Sequence, residues 1–171
     1  MRVSRNLKPA AASGSEIESV KVGGFMMYRE LIGKLIAGHD WAKLQNPCPE
    51  NEITEAEECV GVTFPEELKA LLRETNGDQC FLLSAAEIIN HVKTNREIFP
   101  EYLEPDEFEE KVNRFIPFAT NGCGDYYGYR ILENHEADTS ALCIWEHELF
   151  EVREVASTIA DLITRYYNGE V

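Results

Sequence analysis

Of the residues able to do chemistry, the densest group is Gly122-Cys123-Gly124-Asp125. A thiol in a glycine-rich turn could act as a nucleophile, with His135 or His147 as its base. Such a thiol needs a neighbouring cation, a metal or a helix N-terminus to activate it, and the local sequence supplies none. The plainer reading is a turn that needs glycine conformations, with Asp125 accepting hydrogen bonds from nearby backbone N–H groups. The spacing on to Gly128 is GxGxxxG and leads into a strand pattern, so it is not a dinucleotide fingerprint. In Glu146-His147-Glu148, strand alternation puts both glutamates on one face and His147 on the other, which keeps them from converging on a metal. His135-Glu136 lacks the second histidine of a zinc-protease helix. The five cysteines (Cys48, Cys59, Cys80, Cys123, Cys143) are odd in number, widely spaced and without a CxxC pair, so they suggest neither a zinc site nor a disulfide framework. The four histidines read as surface residues. No catalytic residue, metal or cofactor is expected.

Charge says more than any single motif. The net is −15, from 16 basic and 31 acidic residues, and it is unevenly spread. Residues 1–43 carry +3 and residues 44–171 carry −18. A body this acidic repels nucleic acid phosphates, so direct DNA or RNA binding is not expected. It attracts basic proteins over long range, although acidity also simply keeps a protein soluble. There is no run of about 18 apolar residues to span a membrane. The N-terminus has Arg2, Arg5 and Lys8 but no apolar segment before a cleavage site, so it does not read as a secretory signal. The expected location is the cytoplasm.

The frame that would position these residues is clearest in residues 53–77, which read as two short helices joined by a corner. Ile53, Ala56 and Val60 fall on one face of the first helix, and Gly61 can take the left-handed conformation that ends it. Pro65 opens the second helix, expected at its first position. Leu68, Leu71 and Leu72 form its apolar stripe, and Asn76-Gly77 turns the chain. Phe64 is the natural wedge at the corner. Glu57 breaks the pattern, since it borders the apolar stripe. It either leans out to water or accepts hydrogen bonds from free backbone N–H groups at the start of the Pro65 helix.

An isoleucine, an Ala-Glu pair, a glycine, Phe-Pro, a leucine-rich helix and Asn-Gly at these spacings resemble the signature of the SUKH superfamily. That group includes fungal Smi/Knr-type regulators of cell-wall assembly and many bacterial immunity proteins. The likeness continues through Trp41 before a proline-containing loop, residues 116–125 (IPFATNGCGD) and residues 155–163 (VASTIADLI). It covers roughly residues 28–167. The resemblance assigns structural roles to Trp41, Ile53, Glu57, Gly61, Phe64, Pro65, Asn76, Gly77, Gly124 and Asp125. It implies a non-catalytic domain that binds proteins. Two departures stand out: the acidic segment at residues 97–111 is longer than a minimal member needs, and residues 1–25 have no counterpart.

Taken in order, residues 1–25 read as a poorly ordered tail and residues 26–171 as a single domain. Met26-Met27 stands just before the first periodic segment, so translation could begin there; an intact mass of the natural product decides this. Tyr28, Leu31, Ile32, Leu35 and Ile36 form an amphipathic helix, and Trp41 and Leu44 are expected on the core. Residues 80–83 suit a strand, and Ser84 with Glu87 makes a capping box for the next helix. Strands are expected at residues 115–119 (with Pro117 at an edge or bulge), 127–131, 141–145 and 149–152. A last helix follows Ser157 or Thr158. The fold class is therefore α+β: N-terminal helices packed on a mostly antiparallel sheet, with a closing C-terminal helix.

The expected partner is a basic protein. Residues 97–110 hold seven acidic residues among Phe99, Tyr102, Leu103 and Phe108, a mixture that suits a partner with basic and apolar groups. Tyr127 and Tyr129 are expected on the inner face of the sheet, which points Tyr126 outward. The expected contact residues are Glu104, Asp106, Glu107 and Tyr126. The resemblance implies an immunity protein that neutralises a toxin, commonly a nuclease. The rivals are a regulatory scaffold of the fungal type and an enzyme built on Cys123.

Overall fold

A computed structural model describes residues 21–22, 25–38 and 40–171. The expected tail lies almost wholly outside the described residues; of its last part, β1 (Lys21–Val22) pairs antiparallel with β2 (Phe25–Met26). Helix α1 (Tyr28–Leu35) buries Tyr28 and Ile32. The expected helix pair forms as α2 (Glu50–Val60) and α3 (Glu66–Glu74). Their buried residues are Ile53, Ala56 and Val60 on α2 and Leu68, Leu71 and Leu72 on α3, the two stripes that the 3.6-residue period selects. Gly61 ends α2 at φ 94°, and Pro65 is the cap residue just before α3 rather than its first position.

Helix α4 (Ala85–Ile98) starts with both bonds of the capping box, between Ser84 and Glu87. The chain then makes a 3₁₀ turn (Phe99–Glu101), a one-turn helix α5 (Pro105–Phe108) and a π-helical turn (Glu109–Asn113). Four antiparallel strands follow in spatial order β3 (Phe115–Thr120), β4 (Tyr126–Arg130), β5 (Leu142–Glu146) and β6 (Glu151–Ala156). The register of β3 slips between Pro117 and Ala119, where a bulge absorbs the proline that cannot donate to the ladder. Helix α6 (Ile159–Tyr167) closes the chain, capped by the Thr158 side chain. The architecture is α+β, as the sequence implies.

Three local expectations are corrected. Residues 80–83 are not a strand; only Leu82 bridges, to Ala119, although the N–H of Leu83 and the carbonyl of Phe81 both bond to β3 and cover its edge. The last strand starts at Glu151, because Phe150 sits at φ 53° in the preceding turn. Trp41 is 53% exposed and stacks on Tyr167 at 5.8 Å instead of entering the core.

The sheet is covered on both faces. Its inner face, with Ile116, Phe118, Tyr127, Tyr129 and Ile144, meets the buried sides of α1, α2, α3, α4 and α6. Its outer face carries a second, smaller core of Val112, Phe115, Cys143 and Trp145, roofed by Phe99, Leu103, Phe108 and Phe150. The acidic segment at residues 97–111 is therefore an excursion anchored on the sheet by Phe99, Leu103 and Phe108.

Candidate functional site

The corner between α2 and α3 resolves the two readings of Glu57. Its carboxylate accepts the N–H of Phe64 at 2.7 Å and lies 3.6 Å from Lys69 Nζ. The acid thus satisfies a donor of the corner itself, one residue ahead of Pro65. Behind it Phe64 is buried. Glu57→Ala should cost about 1–3 kcal/mol, because a part-buried N–H loses its charged acceptor. A denaturant melt that matches the wild type would reduce Glu57 to a solvated surface residue.

Two further carboxylates organise the fold and escaped the sequence reading. Glu67 accepts hydrogen bonds from the phenols of Tyr28 and Tyr129, each at 3.1 Å, and from the N–H of Ile159 at 2.9 Å. One side chain thereby joins α1, β4 and the start of α6. Burial, reinforced by the Glu67 charge, holds the pKa of both phenols far above the ordinary tyrosine value, so they remain donors. Asp78 is fully buried and accepts the N–H groups of Cys80, Phe81 and Leu82. Beside it, a Cβ at Gly77 would lie 2.8 Å from the Leu82 carbonyl, so Asn76-Gly77 marks a close backbone approach as well as a turn. The side chain of Asn76 accepts the N–H of Ala85 at 2.8 Å and donates to Glu52.

The turn after β3 is held by side chains. Asn121 Oδ1 accepts from the N–H groups of Cys123 and Asp125. Asp125 accepts from Asn121 Nδ2 at 2.9 Å, and from the backbone and ring Nδ1 of His147 at 3.1 and 2.8 Å. A Cβ at Gly124, at φ 106°, would lie 2.9 Å from the His147 ring. Besides the Asn121 side chain of its own turn, Asp125 therefore takes its one backbone N–H from His147, just past the end of β5, and His147 is a partner of that turn rather than a free surface residue. His91 is likewise half-buried, bonded to the Tyr126 hydroxyl at 2.8 Å. Cys123 is an exposed free thiol whose sulfur makes no hydrogen bond to His135 or His147 among the described residues. Among those residues no three His, Cys, Asp or Glu side chains form a group able to hold a metal ion.

Burial pushes the Asp125 carboxyl up, but the His147 and Asn121 hydrogen bonds outweigh it and hold the pKa below the ordinary aspartate value. A lowered folded pKa adds stability above the unfolded value, near about 4, and that stability is lost as pH falls through the folded value. Asp125→Asn should therefore flatten the fall in stability below about pH 4. Urea melts of both proteins across that range test it; parallel acid limbs would show that the pair contributes nothing there.

The acidic excursion presents most of its carboxylates to solvent. Glu104, Asp106 and Glu107 are all exposed. Glu107 pairs with Lys111 at 3.1 Å, while Glu104 and Asp106 make no ion pair among the described residues. Tyr126 lies on the face opposite Tyr127 and Tyr129, as alternation requires, but it does not project to solvent. It is half-buried, with its ring on Trp145 at 5.8 Å, in the outer core that Phe99, Leu103 and Phe108 roof. The exposed aromatic here is Tyr102, at 69%. Arg96 locks the excursion to the helices: it donates to the last carbonyls of α2, Cys59 at 2.6 Å and Val60 at 2.9 Å, and to Asn113 at 2.8 Å.

The helix pair, its corner, the sheet and the first part of α6 fall within the stretch that matches the SMI1 / KNR4 family (SUKH-1), residues 47–165. The chain belongs to the SMI1 / KNR4 family. No curated protein matches it. The match takes in the Glu57–Phe64 corner, Asp78, Asp125 and the whole acidic excursion, while Trp41 lies before it. Among the described residues no helix is long and apolar enough to cross a membrane.

Proposed function

We propose that this SMI1 / KNR4 domain is an immunity protein that binds and neutralises a basic toxin, a nuclease domain by preference. The observation that carries the reading is charge placement. Residues 44–171 hold −18, and Glu104, Asp106 and Glu107 are exposed on an excursion whose rings pack on the outer core. A nuclease concentrates cations where it binds phosphates, and an acidic surface occludes them. The family also has room for a regulatory scaffold, and a toxin with a C-terminal nuclease domain in the neighbouring reading frame would decide for immunity.

Association with such a domain should be fast at low salt and slow as salt rises, because exposed charges are screened beyond about 8 Å at physiological ionic strength. Reversal of Glu104, Asp106 and Glu107 to lysine should slow association by roughly tenfold or more without unfolding the protein. Dissociation should depend less on salt, since it is set by buried contacts. Stopped-flow binding at two salt concentrations measures both rates. An association rate indifferent to salt and to reversal would end the electrostatic account, and a toxin of net negative charge would end the basic-nuclease reading.

A further inference from the structure

Between the 3₁₀ turn and α5 the excursion opens a cleft of 580 Å³. Leu103 and Phe108 contribute its apolar lining, and both also pack against the outer core. Tyr102 stands beside them, 69% exposed. Glu101, Glu104 and Glu107 line it as well, and Lys111 offsets only the last of them. The carboxylates of Glu101 and Glu104 make no ion pair among the described residues.

We infer that this cleft is the anchor site for one arginine side chain of the partner, an inference that rests on the proposed function. The chemistry selects that residue on three counts. An apolar lining suits the methylene stem of a long cation. The exposed ring of Tyr102 offers a π face to a guanidinium, which stacks on aromatics better than an ammonium does. Two unpaired carboxylates can take the planar fork of donors. A second copy of this chain is disfavoured as the occupant, since two bodies of −15 repel each other. The site also explains how an acidic surface gains residence time: steering brings the partner in, and one desolvated anchor slows its exit.

Two experiments test the site. The first titrates the protein with N-acetyl-arginine amide and with its citrulline analogue, following side-chain NMR signals. The arginine compound should move Tyr102, Leu103 and Phe108, and the uncharged analogue should not. Equal shifts, or none, overturn the site whatever the toxin domain does. The second measures dissociation of the neighbouring toxin domain from wild type, Tyr102→Phe and Tyr102→Leu. Tyr102→Phe keeps the π face and should leave the rate within about twofold, whereas Tyr102→Leu should raise it roughly tenfold or more. Met27→Ala, at the exposed N-cap of α1 and outside the cleft lining, serves as a control and should change nothing. Wild-type binding with an unaltered rate in Tyr102→Leu overturns the arginine site alone, while no wild-type binding overturns the proposed function and this site with it. Self-association that Tyr102→Leu abolishes would give the cleft to a second copy and overturn the proposal.

Discussion

Replacing Asp78 with alanine is expected to destabilise the fold by about 3–5 kcal/mol, among the largest effects of any polar substitution in this protein. Asp78 is 0% exposed. Its Oδ1 accepts three successive N–H groups, from Cys80 at 3.0 Å and from Phe81 and Leu82 at 2.8 Å. Its Oδ2 accepts the Tyr167 hydroxyl. The carboxylate thus shapes the tight loop in which Gln79 takes φ 63°, and ties that loop to the end of α6. Alanine leaves three N–H donors and a phenol facing a void that cannot rehydrate without opening the core. Asp78→Asn separates charge from geometry. An amide oxygen can still accept the three N–H groups, and its NH₂ can donate to Tyr167, so the loss should stay below about 2 kcal/mol. Urea unfolding followed by tryptophan fluorescence is suited to the test, because Trp41 stacks on Tyr167 and Trp145 is buried in the outer core. An alanine variant as stable as wild type would show that water replaces the carboxylate at no cost.

What the sequence disclosed and what it hid follow from the range of each interaction. The α2–α3 pair was legible because its determinants lie within a few residues: two apolar stripes, a glycine and a proline at the boundary, and Phe64 between them. Glu57 was legible only in part: its place beside the stripe left it as either a solvated acid or an acceptor, and the structure gives it the N–H of Phe64, seven residues on. Glu67 was not, because it looks like one more acid on the polar side of α3 and its donors lie 39, 62 and 92 residues away. Asp78 follows Asn76-Gly77 and so passes for an ordinary turn residue. Only Tyr167, 89 residues on, reveals that the turn is buried.

The errors share a cause. Alternation gave the right face for Tyr126 but could not say that this face is covered, because the cover comes from Phe99, Leu103 and Phe108, in a segment read as a partner surface. Trp41 was assigned to the core by residue type alone, in a loop without periodicity to give depth. Residues 80–83 are apolar because they are buried against β3 and α6, not because they form a strand; Phe81 stacks on Tyr166 at 3.7 Å. The Asp125–His147 contact was out of reach for another reason. Strand alternation separates His147 from its neighbours, whereas the contact forms across the sheet from a different loop.

Phe64→Ala should cost about 3–5 kcal/mol, the range for deleting a fully buried phenylalanine whose surroundings relax only in part. The ring is 2% exposed and belongs to the core shared by the helices and the inner face of the sheet. It sits in the short connection after Gly61 and before Pro65, where the backbone has little freedom to collapse into the space left behind. Phe64→Leu retains much of the apolar volume and should lose markedly less. Glu57 fixes the backbone of the same residue, so the two positions share one task. In a double-mutant cycle, Glu57→Ala should cost less in the Phe64→Ala background than in wild type, with a coupling of about 0.5–3 kcal/mol. Once the ring is gone, holding its N–H in place stabilises little. Strict additivity would mean that the carboxylate and the ring act independently, and that the corner is held by helix packing alone.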